Sequence, residues 1–255
     1  MDLQAFLDEK RKLIQDSLRD ILTSVSVSGD LREAMEYSLL SGGKRLRPIL
    51  AIAVCEAARG PVEAVIPYGC AIEMIHTYSL IHDDLPCMDN DELRRGKPTC
   101  HVVYGEALAL LAGDALLTEA FRVMASQGVK EPPSDPATAC RIVFEVARAA
   151  GAEGMVGGQA LDILYEGREG TKEILDAIHA NKTAALIRAA VLAGALVAGV
   201  DDEMIARFRT YGDSVGLAFQ IRDDLLDADG DEGQVGKRLR KDSAKQTYVK
   251  HYGIE

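Results

Sequence analysis

The sequence predicts an all-α fold, and three features of its 255 residues support that prediction. Apolar residues recur at helical spacing along most of the chain, and the alternation typical of half-buried strands is almost absent. Glycines and prolines stand where helices would end or begin. The first apolar stripe shows the pattern, with members at Leu3, Phe6, Leu7, Leu13, Ile14 and Leu18.

The order of the helices follows from these stripes and from their capping residues. Asp30 suits the start of a second helix that ends at Gly42-Gly43. A third helix at about 48–59 begins with a proline, and a fourth begins at Pro67 and runs toward Asp83. Further helices are expected at about 103–126, 136–150, 153–166, 171–181, 183–199, 202–211 and 212–228.

The composition restricts the classes of function and location. A formal net charge of −11 argues against a nucleic-acid-binding surface, so an anionic ligand would need local basic clusters or bridging metal ions. The five cysteines lack zinc-like spacing and are expected to be free thiols in the cytoplasm. The N-terminus has no apolar secretory segment. The most apolar stretch, Ala184–Val200, is too short for a membrane span and is expected to be a buried core helix.

Two aspartate clusters each follow an apolar helical run; they are Asp83, Asp84 and Asp89, and Asp223, Asp224 and Asp227. Asp223 and Asp227 share one helix face because they are four residues apart. Asp83 and Asp89 would not align on an ideal helix, but Pro86 indicates a terminating turn that brings Asp89 back. Carboxylates without Cys or His partners favour a hard cation such as Mg²⁺. Either cluster alone could equally be a solvated helix end.

Basic residues accompany both clusters. The stretch Gly42–Pro48 (GGKRLRP) places three cations near a helix start, where an anion is favoured, although a glycine C-cap with solvated side chains gives the same pattern. Leu93–Thr99 (LRRGKPT) follows the first cluster, and its arginines suit phosphate oxygens. Lys182 precedes a predicted helix, and Lys237 follows the second cluster. Together these residues indicate a polyanionic ligand held through metal ions and by direct contacts.

The motifs together resemble the trans-prenyltransferase (polyprenyl diphosphate synthase) family, and especially its bacterial farnesyl-forming members. The matching stretches occur in the family's order; they are Gly42–Pro48, His76–Thr99 (HTYSLIHDDLPCMDNDELRRGKPT), Leu111–Phe121 (LAGDALLTEAF), Gly157–Asp162 (GGQALD), Lys182-Thr183, Phe219–Asp227 (FQIRDDLLD) and Gly236-Lys237. The stretch between Lys237 and Tyr248 is shorter than is usual in the family, and members normally continue with further helix.

The resemblance implies a fold and a reaction. The fold would be a single bundle of antiparallel helices around a deep central cavity, forming one domain over residues 1–255 of a homodimer. The reaction would join isopentenyl diphosphate to dimethylallyl or geranyl diphosphate, an allylic diphosphate, and give farnesyl diphosphate. A geranylgeranyl product is the alternative. A terpene cyclase would not need a second diphosphate site, and a non-catalytic subunit should lack carboxylates that both clusters retain here.

The resemblance also assigns roles to residues. The metal ligands for several Mg²⁺ ions would be Asp83, Asp84, Asp89, Asp223, Asp224 and Asp227. The allylic diphosphate would contact Arg94, Lys182 and Lys237. Isopentenyl diphosphate would contact Lys44, Arg47, His76 and Arg95. Gln159, Thr183 and Gln220 would lie near the reacting carbons.

Product length is expected to depend on two residues ahead of the first cluster. Tyr78 lies five residues before Asp83, or roughly 7.5 Å along a helix at about 1.5 Å per residue. The resemblance implies that its ring forms the floor beneath the growing chain, while Ser79 leaves space. An aromatic residue here resembles farnesyl-forming members of the family.

Overall fold

The described chain is almost entirely helical, which confirms the all-α prediction. The computed structural model describes residues 2–27, 29–129, 135–168, 170–229 and 247–249, with the backbone alone for 227–229. Within these residues the helices are α1 Leu3–Ser24, α2 Gly29–Leu39, α3 Leu46–Ala57, α4 Val62–Asp83, α5 Cys100–Tyr104, α6 Glu106–Gln127, α7 Pro136–Ala150, α8 Met155–Leu164, α9 Lys172–His179, a π-helix at Ala180–Ala184, α10 Ala185–Val197 and α11 Asp202–Asp229. A two-stranded antiparallel hairpin, β1 Leu93–Arg94 and β2 Lys97–Pro98, lies between α4 and α5.

Several of the predicted helix boundaries are wrong. The stretch expected as one helix at about 103–126 is two helices, α5 and α6, because the chain turns at Gly105 with a φ of 83°. The fourth helix begins at Val62, and Pro67 lies inside it, flanked by the buried residues Val65, Ile66 and Tyr68. The burial of these neighbouring side chains stabilises the helix across the proline. The predicted helices 202–211 and 212–228 are one helix, α11. Gly212 does not end this helix. It lets α11 pack closely against α10, since a Cβ at position 212 would stand 2.8 Å from the Arg188 Cα.

The core is organised around α4 and α10. Both helices are buried on all sides, as expected for helices that are apolar all round. α4 packs against α3, α6 and α10, and α10 also packs against α7 and α11. By length and composition alone the helical stretch Lys172–Val197 could cross a membrane, but 67% of its most apolar window is buried inside the protein. It is therefore a core helix, as predicted.

A buried ion pair ties the entry of α3 to α4. The Arg45 guanidinium donates from Nη1 to Glu73 Oε1 at 2.8 Å, and both side chains are almost fully buried. Arg45 also donates to Gln15 Oε1 of α1 and to the Leu39 carbonyl oxygen at the end of α2. Arg45, which belongs to the Gly42–Pro48 stretch, thus joins the start of α3 to α1, α2 and α4. All of these contacts lie inside the protein.

Removing one partner of this pair should be costly. We expect Glu73→Leu to lower the free energy of unfolding by about 3–5 kcal/mol, because it leaves a buried, uncompensated guanidinium. The double variant Arg45→Met/Glu73→Leu should recover much of that loss. Urea denaturation measures both, with Glu203→Leu as the matched control, since Glu203 pairs with Arg207 on the exposed surface. Equal losses in Glu73→Leu and the control would contradict the assignment.

Candidate active site

A cavity of about 1440 Å³ opens between the C-terminal end of α4, the hairpin, α8, the π-helix and α11. Most of the predicted site residues line it: Lys44, Arg47, His76, Tyr78, Ser79, Asp83, Asp89, Arg94, Arg95, Gln159, Lys182, Thr183, Gln220, Asp223 and Asp224. Asp84 instead lines a smaller adjoining cavity that it shares with Arg94. The Asp227 side chain and all of Lys237 lie outside the described residues.

The chain folds back after Asp83, as the sequence predicts. α4 ends at Asp83, and the Asp89 N–H donates to the Asp83 carbonyl oxygen at 2.8 Å. The Asn90 N–H donates to Leu85 O and the Asp91 N–H to Asp84 O in the same turn. These bonds bring Asp89 beside Asp83 although six positions separate them in sequence.

Asp83 is held in a crowded, poorly solvated position. Burial raises the pKa of Asp83 to about 6; Lys182 opposes this shift, and the neighbouring Asp89 and Asp84 carboxylates add to it. The Gln159 amide donates from Nε2 to Asp83 Oδ1 at 2.9 Å. The Gln159 Oε1 atom is buried and has no hydrogen-bond partner within the described part of the chain.

Asp84 is clamped by Arg94 of the hairpin. The guanidinium donates from Nε to both carboxylate oxygens, at 2.8 and 2.9 Å, and from Nη2 to Oδ1 at 2.6 Å. Asp84 is only 3% exposed. Burial raises the pKa of Asp84, and the Arg94 guanidinium opposes that shift. A cation from the protein therefore already neutralises one member of the first cluster.

The second cluster is connected by hydrogen bonds to the π-helix. Thr183 donates from Oγ1 to Gln220 Oε1, and Gln220 donates from Nε2 to Asp224 Oδ1, both at 2.7 Å. The Tyr248 N–H donates to the other oxygen of Asp224, also at 2.7 Å. Asp223 lies on the cavity side of the same helix and is partly exposed.

The π-helix presents Lys182 and Thr183 toward the cavity, and no sequence pattern predicts it. Such wide turns occur mostly as short insertions in α-helices and are frequent at functional sites. Lys182 donates from Nζ to Asp162 Oδ2 of α8 at 2.6 Å, and Asp162 is itself buried. The Lys182 ammonium group is therefore fixed at a defined place beside Asp83.

A second set of basic side chains lines the same cavity. Arg47 is 8% exposed, and its Nε has no hydrogen-bond partner among the described residues. Burial lowers the pKa of Arg47, as does the nearby Arg95. Burial and the surrounding arginines hold the pKa of His76 well below its usual value, so its imidazole is neutral at pH 7. Arg95 donates to the Gly42 carbonyl oxygen, and Lys44 is exposed.

Three further side chains at the site escaped the sequence interpretation. Besides Asp162, these are His179 and Tyr248, whose rings stack at a centroid distance of 4.9 Å and an interplanar angle of 20°. Burial lowers the pKa of His179 to about 4. Its neutral Nε2 lies 3.5 Å from Asp224 Oδ2. Asp162 stands in the GGQALD stretch already noted in the sequence, whereas nothing in the sequence pattern marks the other two.

The described residues contain no preformed metal cage. Over 2–27, 29–129, 135–168, 170–229 and 247–249, no group of three or more His, Cys, Asp or Glu side chains is close enough to hold an ion. What the cavity does contain is carboxylates on two separate helices, α4 and α11, with basic groups between and beside them. This arrangement suits a polyanion.

Comparison with known proteins identifies the class. The polyprenyl synthetase family model matches residues 29–251, so the chain belongs to that family. It is 48% identical to the farnesyl diphosphate synthase of Bacillus subtilis (strain 168), over 99% of this chain and 86% of that protein. It is 46% identical to the geranylgeranyl diphosphate synthase of Cyanophora paradoxa, over 100% of this chain and 84% of that protein.

Solved structures support the same conclusion. The geranyltransferase of Helicobacter pylori, complexed with magnesium and isoprenyl diphosphate, gives a TM-score of 0.83 at 34% identity and covers 98% of this chain and 84% of its own. An FPP/GFPP synthase from Zymomonas mobilis gives the same TM-score at 38% identity, covering 93% of this chain and 83% of its own. The predicted bundle around a central cavity and the predicted family are confirmed.

The raised pKa of Asp83 leads to a prediction about stability. Between about pH 4 and pH 6 the folded protein holds more protons at this position than the unfolded chain, so the contribution of Asp83 to stability falls as pH rises. Without metal, Asp83→Asn should raise Tm at pH 7 by at least about 2 °C and should not raise it below pH 4.

Differential scanning calorimetry in chelator measures the effect. Asp114→Asn is the control, because Asp114 is 58% exposed at its side chain. A gain at pH 7 that persists below pH 4, or an equal gain in the control, would show that the pKa of Asp83 is not the cause.

Proposed function

We propose that this protein condenses isopentenyl diphosphate with dimethylallyl and geranyl diphosphates and releases farnesyl diphosphate. One observation carries the proposal: a single cavity joins carboxylates on two helices to two separate groups of basic side chains. Two diphosphates need two such groups, and a cyclase acting on one diphosphate does not. The relatives named as farnesyl and geranylgeranyl diphosphate synthases support the class of reaction.

The two aspartate clusters are suited to magnesium shared with a substrate. Mg²⁺ usually takes one or two carboxylates and completes its shell with phosphate oxygens and water. Burial raises the pKa of Asp83, and the neighbouring Asp89 and Asp84 carboxylates add to the shift. This environment and the fold-back of Asp89 match a site completed by ligand oxygens. The ligands would be Asp83, Asp84 and Asp89 of the first cluster and Asp223, Asp224 and Asp227 of the second. Bound magnesium would neutralise the allylic diphosphate and favour its departure as pyrophosphate.

The basic residues beside the clusters would hold the allylic diphosphate directly. Arg94 and Lys182 are each fixed by a carboxylate, Asp84 and Asp162. These bonds give both cations a defined position at the cavity. By the family resemblance Lys237 would join them. Arg94 would exchange part of its contact with Asp84 for contact with the substrate.

Near the reacting carbons the chain would supply oriented dipoles. The Thr183 hydroxyl and the Gln220 amide form one oriented chain that lines the cavity, and Gln159 stands across from it beside Asp83. Fixed dipoles of this kind stabilise a developing allylic cation. The C–O bond to the diphosphate breaks, and the double bond of isopentenyl diphosphate supplies the electrons of the new C–C bond. The proton that is then lost passes to the released pyrophosphate.

The second basic group would receive isopentenyl diphosphate. It comprises Lys44, Arg47, His76 and Arg95. The buried Arg47 Nε without a partner in the described chain is the strongest support, because an unpaired buried donor is costly unless a ligand accepts from it. Neutral His76 adds a donor that does not raise the positive charge. Arg45, in the same motif, is excluded by its buried bond to Glu73.

The assembly of the protein is proposed from an exposed apolar surface. We propose one domain over 1–255, two copies of which form a dimer in the cytoplasm. The apolar side chains of Val102, Val103 and Leu111, on α5 and α6, are each about half exposed. A second copy of the chain would cover this face. Sedimentation velocity would give the mass of the species in solution.

Turnover and product analysis test the proposed reaction. With magnesium and both five-carbon diphosphates, mass spectrometry should show mainly a C15 diphosphate. Without isopentenyl diphosphate, little pyrophosphate should be released from dimethylallyl diphosphate. Asp223→Ala should reduce turnover by at least about 100-fold, a loss typical of removing one electrostatic contact to the transition state. Full activity of Asp223→Ala, or rapid pyrophosphate release without isopentenyl diphosphate, would rule the reaction out.

Tyr78 is the proposed floor of the chain-length cavity. It lines the cavity on α4, five residues before Asp83, and is 7% exposed. The neighbouring Ser79 donates from its hydroxyl to the His76 carbonyl oxygen. Tyr78→Ala should move the main product from C15 to C20 or longer and leave the rate of geranyl diphosphate formation within about threefold. Ser79→Ala is the control, since it removes no bulk. A clean C15 product from Tyr78→Ala would exclude Tyr78 as the floor, and a C20 product from the unmutated protein would favour the geranylgeranyl alternative.

A further inference from the structure

The ring of Tyr78 is supported by a second ring one turn above it on α4. The His82 imidazole meets the phenol edge to face, with ring centroids 5.6 Å apart and an interplanar angle of 77°. Both side chains line the cavity. Residues four apart on a helix lie one above the other, so His82 stands between Tyr78 and the aspartates at the cavity mouth.

His82 is itself fixed by α6. The imidazole donates from Nε2 to the Leu110 carbonyl oxygen at 3.0 Å. The ring lies against Gly113 so closely that a Cβ at that position would overlap its Nε2 and Cδ2 atoms. Gly113 therefore provides a notch in α6 that the imidazole fills. Asp114 is a minor neighbour, with its Oδ1 3.8 Å from Nε2 and its side chain largely exposed.

Tyr78 has no comparable anchor of its own. Among the described residues its hydroxyl group has no hydrogen-bond partner, so packing alone determines where the ring lies. Its helix limits the side chain to rotamers that point back along α4. The edge of His82 bounds one of the remaining directions. Without that edge, the phenol ring could move between those rotamers and would no longer be held in one position across the cavity.

We propose that His82, seated in the Gly113 notch, is a specificity-determining positioning residue that sets product length by holding the Tyr78 ring across the cavity. Neither His82 nor Gly113 is assigned to magnesium, to a diphosphate or to the reacting carbons. The inference rests on the proposed function, because it requires that Tyr78 is the floor. It assigns the control of product length to a contact between α4 and α6 as well as to a residue beneath the growing chain.

Product ratios in single and double variants test the proposal. His82→Ala should raise the C20 to C15 ratio by about 3- to 10-fold, the factor corresponding to the coupling of an edge-to-face ring pair. Gly113→Ala should raise the same ratio, because the added Cβ displaces the imidazole while both rings remain in the chain. In a Tyr78→Ala background neither change should alter the ratio further, since the floor is already gone. Asp114→Asn should leave the C15 product unchanged.

Several outcomes would overturn the proposal. If Tyr78→Ala lengthens the product while both His82→Ala and Gly113→Ala still give clean C15, the support by His82 is wrong and the proposed function stands. If His82→Ala lengthens the product equally in the presence and absence of Tyr78, then His82 is an independent wall residue. If Tyr78→Ala makes only C15, both the floor and its support are wrong. The KM values for both diphosphates should stay within about twofold, and a large rise in either would show that His82 acts on substrate binding.

Discussion

The structure depends on holding several carboxylates, in a poorly solvated position, at the mouth of one cavity. Burial and like charge raise the pKa of Asp83 to about 6, and such a cluster would be unstable without compensation. The protein supplies it with three side chains: Gln159 donates to Asp83, Arg94 clamps Asp84, and Lys182 faces Asp83 from the π-helix. Two of these groups, Arg94 and Lys182, are also proposed to hold the allylic diphosphate. Stability and binding are therefore coupled at these residues.

The packing of the apolar helices fixes the positions of the two aspartate clusters relative to each other. The apolar helices α4 and α10 are buried on all sides, and α10 packs against both α4 and α11, which carry the two clusters. The arginines of the Gly42–Pro48 stretch have different partners. Arg45 pairs with Glu73 inside the protein, whereas Arg47 has a buried donor without a partner among the described residues. Two arginines only two positions apart thus have different roles, one structural and one proposed for substrate.

The sequence predicted the helical class, the family and the return of Asp89 toward Asp83, because these depend on local periodicity, on Pro86 and on motifs that stand close together. It failed where packing overrides local signals. Pro67 lies within α4, and α11 runs through Gly212, because burial and close helix contact outweigh their usual effect as helix breakers. The π-helix and the partners Asp162, His179 and Tyr248 depend on contacts between distant segments, which no spacing rule reveals. The roles of the predicted site residues remain predictions, supported by the position of most of them in one cavity.

We propose that the carboxylates of α4 and α11 and the cations beside them form a site for a diphosphate shared with magnesium. Calorimetric titration with a non-ionising allylic thiolodiphosphate, with and without magnesium, tests it most directly because no turnover is involved. Magnesium should tighten binding by roughly 100-fold, about 2.7 kcal/mol, in the unmutated protein and by far less in Asp223→Ala. Equal affinity with and without magnesium, or a full magnesium effect in Asp223→Ala, would contradict the account.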